Sequence, residues 1–191
     1  MEQEETEQSQ FDRDFQCYDI PELSELISKK GLKLLHQNIR GLLASKHTIC
    51  QILDDFKNIH ISSLSETHLS ADDEAQAEID RFTFIGKSRI SGQGGGVGTY
   101  ISSSVPYHRR FELEQEDIEC IWTEVLFPKT KGFLFGIIYR PPDYSNHLCA
   151  NFNCKFESML SAVSSENKEF LLTGDMNCNY LVNSDHKDLK P

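Results

Sequence analysis

The chain has 191 residues and a formal net charge of −11, from 19 Lys and Arg against 30 Asp and Glu. That length suits one domain with a tail, and 12 Phe with 6 Tyr in a chain 38% hydrophobic can bury a core, which excludes a wholly disordered chain or a coiled coil. No run approaches the ~18 consecutive apolar residues of a membrane span, and the start MEQEETEQSQ lacks the regions of a secretory signal. A soluble, intracellular protein of the nucleus or cytoplasm is expected, neither secreted nor in contact with a membrane.

The charge is uneven. Residues 1–30 hold nine acids and three bases, so this stretch is net −6 and residues 31–191 carry the other −5. The first thirty residues therefore read as an acidic extension, with its first ten a solvated tail. A body of net −5 is poor material for non-specific nucleic-acid binding, because phosphate affinity comes mainly from Lys and Arg displacing counterions. Any work on DNA must rely on a local basic lip or on bound metal. The six cysteines, at 17, 50, 120, 149, 154 and 178, form no CxxC pair and have no His at zinc spacing, so reduced thiols are expected.

From Gly31 the pattern alternates strands and helices. LKLLHQN (Leu32 to Asn38) predicts a buried strand, and Ile49, Ile52, Leu53 and Phe56 recur at helical spacing. IHISSLSE predicts a second strand, ADDEAQAEID an exposed loop or short helix, and FTFIG, GGVGTYISS, IECIWTEVLF and GFLFGIIY further strands. Leu148, Phe152, Phe156, Met159, Leu160 and Val163 form a helix stripe, and KEFLLTGD is another strand ending in a turn. Helix-linked and hairpin-linked strands together point to mixed α/β layers.

The informative feature is the polar group that ends each of four apolar runs: Asn38, Glu66, Tyr139, and Asp175 with Asn177. Strand ends are where α/β sheets collect ligand sites. Taken singly, Asn38 could cap a turn, Glu66 could be solvated, Tyr139 could be packing, and GDMN is an ordinary turn sequence. Together they supply a carboxylate able to hold Mg²⁺, a second to orient or deprotonate a water, two amides for phosphate oxygens and a phenol for developing charge. Those are the parts for hydrolysing a phosphodiester.

The strings HQNIRGL (His36 to Leu42), SETHL (Ser65 to Leu69), GGGVGTYI (Gly94 to Ile101), IYRPP (Ile138 to Pro142) and GDMNCN (Gly174 to Asn179), in this order and spacing, resemble the endonuclease/exonuclease/phosphatase superfamily. More narrowly they resemble the apurinic-type endonuclease domain of LINE-type (non-LTR) retrotransposons, elements that also carry a polymerase. The resemblance covers residues 31 to about 185 and implies a four-layer α/β sandwich, two mixed sheets with helices outside, and Mg²⁺-dependent cleavage of DNA, with Mn²⁺ as the alternative ion. It implies that Glu66 holds the metal, that Asn38 helps hold metal and phosphate, and that Tyr139 supports the phosphate. Asp175 would position or activate the attacking water, and Asn177 would orient the phosphate and Asp175.

The pattern departs from the resemblance near Pro191. The resemblance implies further strands after GDMN, then an Asp and an SDH motif, whereas Ser184-Asp185-His186 stands only seven positions after Asn177. That string reads as a polar helix start with Ser184 near the cap, so His186 is not expected to reach the site. The expectation is a domain over 31–191 lacking its last strands, with impaired activity, three strands in the second sheet and an uncovered edge open to self-association. The glycine run SGQGGGVG has no register for GxGxxG and no GK[ST], and reads as close strand packing. His36 and His68 read as structural or solvated. Arg109 and Arg110 beside His108, with Lys87 and Arg89, are candidates for a basic lip contacting DNA. A non-catalytic remnant acting as a binding module, and a phosphatase of small substrates, are the alternative functions.

Overall fold

The computed structural model describes Glu25, residues 28–90, Gly92, residues 94–129 and residues 131–178. The acidic stretch up to Ser24, and Ser184-Asp185-His186, lie outside the described residues. The chain divides into residues 1–31 and residues 32–191. In the first unit the Ser28 hydroxyl donates to the Glu25 carbonyl at 2.7 Å; every strand named below belongs to the second.

Among the described residues, two four-stranded sheets form that second unit. Sheet 1 has the order β1-β2-β4-β3, from β1 (Leu34–Asn38), β2 (Ile61–Ser65), β3 (Phe82–Lys87) and β4 (Val97–Ser102). Sheet 2 has the order β5-β6-β7-β8, from β5 (Tyr107–Arg109), β6 (Glu119–Val125), β7 (Phe133–Tyr139) and β8 (Phe170–Asp175). Each sheet holds one parallel pair, β1 with β2 and β7 with β8, and antiparallel partners for the rest. A parallel pair needs a crossover. Helix α1 (Leu42–Asp55) supplies it in sheet 1 and helix α2 (Phe152–Ser165) in sheet 2. The acidic ADDEAQA segment is a 3-10 helix, Ala71–Ala77, entered through a reciprocal contact of Ser70 with Asp73.

The period of two along each strand sorts side chains between faces. On β7, Phe135, Ile137 and Tyr139 join Ile61, Ile101 and Ile121 in the layer between the sheets. The intervening Leu134 and Ile138 pack with Trp122, Phe152, Met159 and Val163 under α2. Leu64 and Tyr100 likewise pack with Leu42, Ile49 and Leu53 under α1. The result is helix, sheet, sheet, helix. One element differs from expectation: Tyr107–Arg109 is a strand and joins sheet 2, which has four strands rather than three because Val125 to Thr123 pair with it. Among the described residues β8 is an edge strand, with Phe170 43% and Leu171 41% exposed. The described cysteines, Cys50, Cys120, Cys149, Cys154 and Cys178, are free. No helix among the described residues is long and apolar enough to cross a membrane.

Candidate active site

Parallel pairs bring their carboxyl ends to one side, and both sheets bring theirs to the same place. Asn38 ends β1, Glu66 follows β2, Tyr139 ends β7 and Asp175 ends β8. The Asn38 amide nitrogen donates to Glu66 Oε1 at 2.8 Å and to Asp175 Oδ2 at 2.9 Å. One side chain of sheet 1 thus joins a carboxylate of its own sheet to a carboxylate of the other. Tyr139 and Asp175 are register partners, and the ladder runs one step further through the Arg140 amide on the Asp175 carbonyl at 2.8 Å. Asn177 turns back on the same residue: its amide donates to Asp175 Oδ1 at 2.9 Å, and its side-chain nitrogen to the Arg140 carbonyl at 2.8 Å.

Left-handed backbone gathers here. Arg40, Glu66, His68 and Asn177 have φ of 45°, 56°, 52° and 46°, conformations that cost non-glycine residues about 1–3 kcal/mol each and persist only where the surroundings hold them. Glu66 is held on both sides. Its carbonyl accepts from the Gly41 amide at 2.8 Å, and the next two amides, of Thr67 and His68, donate to the carbonyls of Gly96 and Gly95 at 3.2 and 2.8 Å. The glycine run fits this close approach, because a Cβ on Gly96 would press 2.6 Å from Thr67 Oγ1 and Gly96 has a φ of 81°.

Electrostatically the site holds two carboxylates with little cation beside them. His68 Nε2 stands 3.5 Å from Glu66 Oε2, an ion pair when the imidazole is protonated. Burial, with the Glu66 charge behind it, pushes the Tyr139 phenol up to about 12, so its hydroxyl keeps its proton at neutral pH. His36, beneath Asn38 on β1, shares its Nδ1 with Ser63 Oγ at 3.1 Å, and Ser63 reaches across the sheets to Thr173 Oγ1 at 3.1 Å. Burial lowers the His36 pKa against the pull of Asp175. Among the described residues no group of three or more His, Cys, Asp or Glu could cage an ion. The donor set nevertheless suits a hard cation that keeps most of its waters, as Mg²⁺ does with one or two carboxylates and a substrate phosphate. Glu66 and Asp175 accept from one nitrogen, which leaves Asn38 Oδ1 as the amide's ligand atom.

The structure therefore brings together Asn38, Glu66, Tyr139, Asp175 and Asn177. It places the four candidate cations elsewhere or in pairs. Arg109 forks onto Glu114 at 2.9 and 3.0 Å and lies over Phe111. Arg110 meets Glu112, Glu124 and Glu166 at 2.5, 2.6 and 2.8 Å, at the end of sheet 2 opposite Asp175. Lys87 donates to the Gln115 carbonyl at 2.6 Å. Arg89 is close to the site but pairs with Glu119 at 2.6 Å, both side chains about nine-tenths buried. Glu119 carries no signal in the sequence, since its role depends on residues about thirty positions away.

No family model matches the chain, and no curated protein matches it. Solved structures do. The endonuclease domain of TRAS1, a telomere-specific non-LTR retrotransposon, superposes with a TM-score of 0.56 at 12% identity, over 79% of this chain and 61% of that one. An AP endonuclease from Archaeoglobus fulgidus gives 0.52 at 18% identity, over 77% and 58%. The mannosyl-6-phosphatase Bt3783 from Bacteroides thetaiotaomicron gives 0.51 at 16% identity, over 80% and 68%. The chain spans about three-fifths of the length of the first two. With two mixed four-stranded sheets between outer helices and these structural neighbours, the chain has the fold of the endonuclease/exonuclease/phosphatase superfamily.

Proposed function

We propose that the chain carries an Mg²⁺-dependent phosphodiesterase site that nicks DNA, of the endonuclease type found in non-LTR retrotransposons. The observation that carries the reading is the Asn38 amide spanning Glu66 and Asp175 at 2.8 and 2.9 Å, with the protonated Tyr139 phenol beside Glu66. The solved neighbours support it by their own activities: two are endonucleases, and a TDP2 from D. rerio was solved with single-strand DNA product. A bound Mg²⁺ would neutralise charge on the phosphate oxygens.

The residues divide the remaining work. Asp175, held by Asn38 and by the Asn177 amide, accepts a proton as water attacks phosphorus; the new P–O bond forms as the bond to the leaving sugar oxygen breaks, and that oxygen takes a proton from solvent. Tyr139 donates to a phosphate oxygen, and its neutral phenol adds no third negative charge. Glu66 and Asn38 are the ligands for the cation. DNA backbone contact falls to Arg40, which is exposed, two residues past Asn38 and next to the Gly41 amide on Glu66, rather than to the paired Lys87, Arg89, Arg109 and Arg110.

The test is nicking of supercoiled plasmid by the full chain. Nicking should need Mg²⁺, stop with chelator and fall about 10²–10⁴-fold in Asp175→Asn. Calorimetry should show millimolar Mg²⁺ binding, about −4 kcal/mol, lost in Glu66→Gln. Nicking indifferent to chelator and to both substitutions would sink the reading. His186→Ala decides whether that residue takes part.

A further inference from the structure

Arg89 belongs to the loop between β3 and β4 of sheet 1, and Glu119 opens β6 of sheet 2. Their side chains are 10% and 11% exposed and meet at 2.6 Å. A buried ion pair loses several kcal/mol of hydration per ion and is often no more stabilising than apolar packing of the same volume, so stability alone does not account for it. What the pair touches does. The second Glu119 oxygen accepts the Gly96 amide. Gly96 and Gly95 in turn supply the carbonyls that hold the amides of Thr67 and His68, the two residues after Glu66. On the other side, the Arg89 guanidinium lies 6.0 Å from the centre of the Tyr139 ring, and Tyr139 is the cross-strand partner of Glu119. A Cβ on Gly95 would overlap that guanidinium, so the glycine run makes room for it.

One pair therefore reaches both members of the Glu66–Tyr139 contact. It reaches Glu66 through the glycine loop that fixes its left-handed backbone, and Tyr139 through the face of its ring. We propose that Arg89 and Glu119 are positioning residues that set the spacing of Glu66 and Tyr139 across the two sheets, and that Arg89 is not a DNA contact. The assignment of what that spacing serves rests on the phosphodiesterase reading above; the juxtaposition itself does not.

The experiment uses the full chain with Arg89→Met, Glu119→Gln, and the double variant Arg89→Met/Glu119→Leu, which leaves no unpaired buried charge if a single variant fails to fold. Hydrogen exchange at the Gly96, Thr67 and His68 amides should quicken at least about tenfold, while Phe135 and Leu172 in β7 and β8 stay protected. In the nicking assay kcat should fall about 10²-fold, the cost of a misplacement near 1 Å, with KM and the salt dependence of DNA binding unchanged. Arg89→Lys keeps the charge without the planar fork and should recover part of kcat. Unchanged exchange at those three amides in a folded variant would overturn the proposal. So would a raised KM with the salt slope reduced by about one, the signature of a lost phosphate contact. If the parent chain does not nick DNA, the phosphodiesterase reading fails by itself, and the exchange measurement still decides the positioning role.

Discussion

In sheet 2 the candidate site residues Tyr139 and Asp175 are the last residues of adjacent parallel strands and stand in register. In sheet 1 the matching carboxylate, Glu66, lies one residue past β2, on a left-handed backbone with φ of 56°. Sheet 2 places the backbone of Tyr139 and Asp175 by the ladder itself, and Asn38 and the Asn177 amide then hold the Asp175 carboxylate. Sheet 1 stores local strain and needs outside restraint, which arrives from Gly41 on one side and from Gly95 and Gly96 on the other. Asn38 then closes the gap between the two kinds of construction. The comparison teaches that the backbone of Glu66 depends on contacts with loops outside its strand, whereas that of Asp175 is set by its own strand pairing.

The largest expected effect separates those roles directly. Asp175→Asn should remove about 10²–10⁴-fold of nicking with the metal affinity less affected, whereas Glu66→Gln should abolish Mg²⁺ binding first. Equal losses of both properties in both variants, measured by calorimetry and plasmid nicking, would erase the distinction between the sheets. Next in size is the core under α2. Trp122 is fully buried among Leu134, Met159 and Val163, so Trp122→Ala should cost about 3–5 kcal/mol in denaturant unfolding. A much smaller cost would mean that the layer between sheet 2 and α2 is loosely packed around Trp122.

A subtler test addresses the seam. The Ser63 and Thr173 hydroxyls meet across the sheets at 3.1 Å, and the single proton of Thr173 has the Gly136 carbonyl at 3.3 Å as an alternative acceptor. Thr173→Val keeps the shape and removes the bridge, and since Ser63 retains the Leu35 carbonyl at 3.1 Å, the cost should be about 1 kcal/mol. Nicking should fall more than that stability loss explains if the seam registers Asn38 against Asp175. Unchanged kcat in Thr173→Val would leave Asn38 as sufficient registration.

The strands of the parallel pairs were legible because each is an apolar run ended by a polar residue, and the same feature marked Asn38, Glu66, Tyr139 and Asp175. Strand β5 was not, because Tyr107–Arg109 is three residues long, carries a His and an Arg, and exists as a strand only by pairing with Thr123 to Val125. The pairing of the candidate cations was not legible for a related reason. A Lys or Arg cluster shows its charge in the sequence but not its partners, and Glu114, Glu119, Glu124 and Glu166 are brought to it only by the fold. Glu119 stayed hidden because it reads as the polar flank of an apolar strand, and its significance lies in Gly96 and Arg89 across the sheet interface.

The smallest effect concerns the end of sheet 2 away from the site, where Arg110 and Lys168 gather glutamates. Arg110 bonds to Glu166 and Lys168 bonds to Glu124, and these hydrogen bonds hold both carboxyls below the usual carboxylate range. Glutamates whose folded pKa is depressed contribute stability that is fully present above their unfolded value, about 4.3, and is lost as pH falls through the folded values. The stability gap between the parent chain and Arg110→Met should therefore be widest near neutral pH and should narrow as pH drops from about 5 toward 3. Because these side chains are partly solvated, added salt should shrink the neutral-pH gap as well. Nicking at neutral pH should be unchanged in Arg110→Met, since its partners lie opposite Asp175. Urea unfolding followed across that pH range checks the first statement. A gap that stays constant down to pH 3 would show that Arg110 acts there by packing its stem rather than by its charge, and a loss of nicking in the folded variant would mean that the two ends of sheet 2 are coupled.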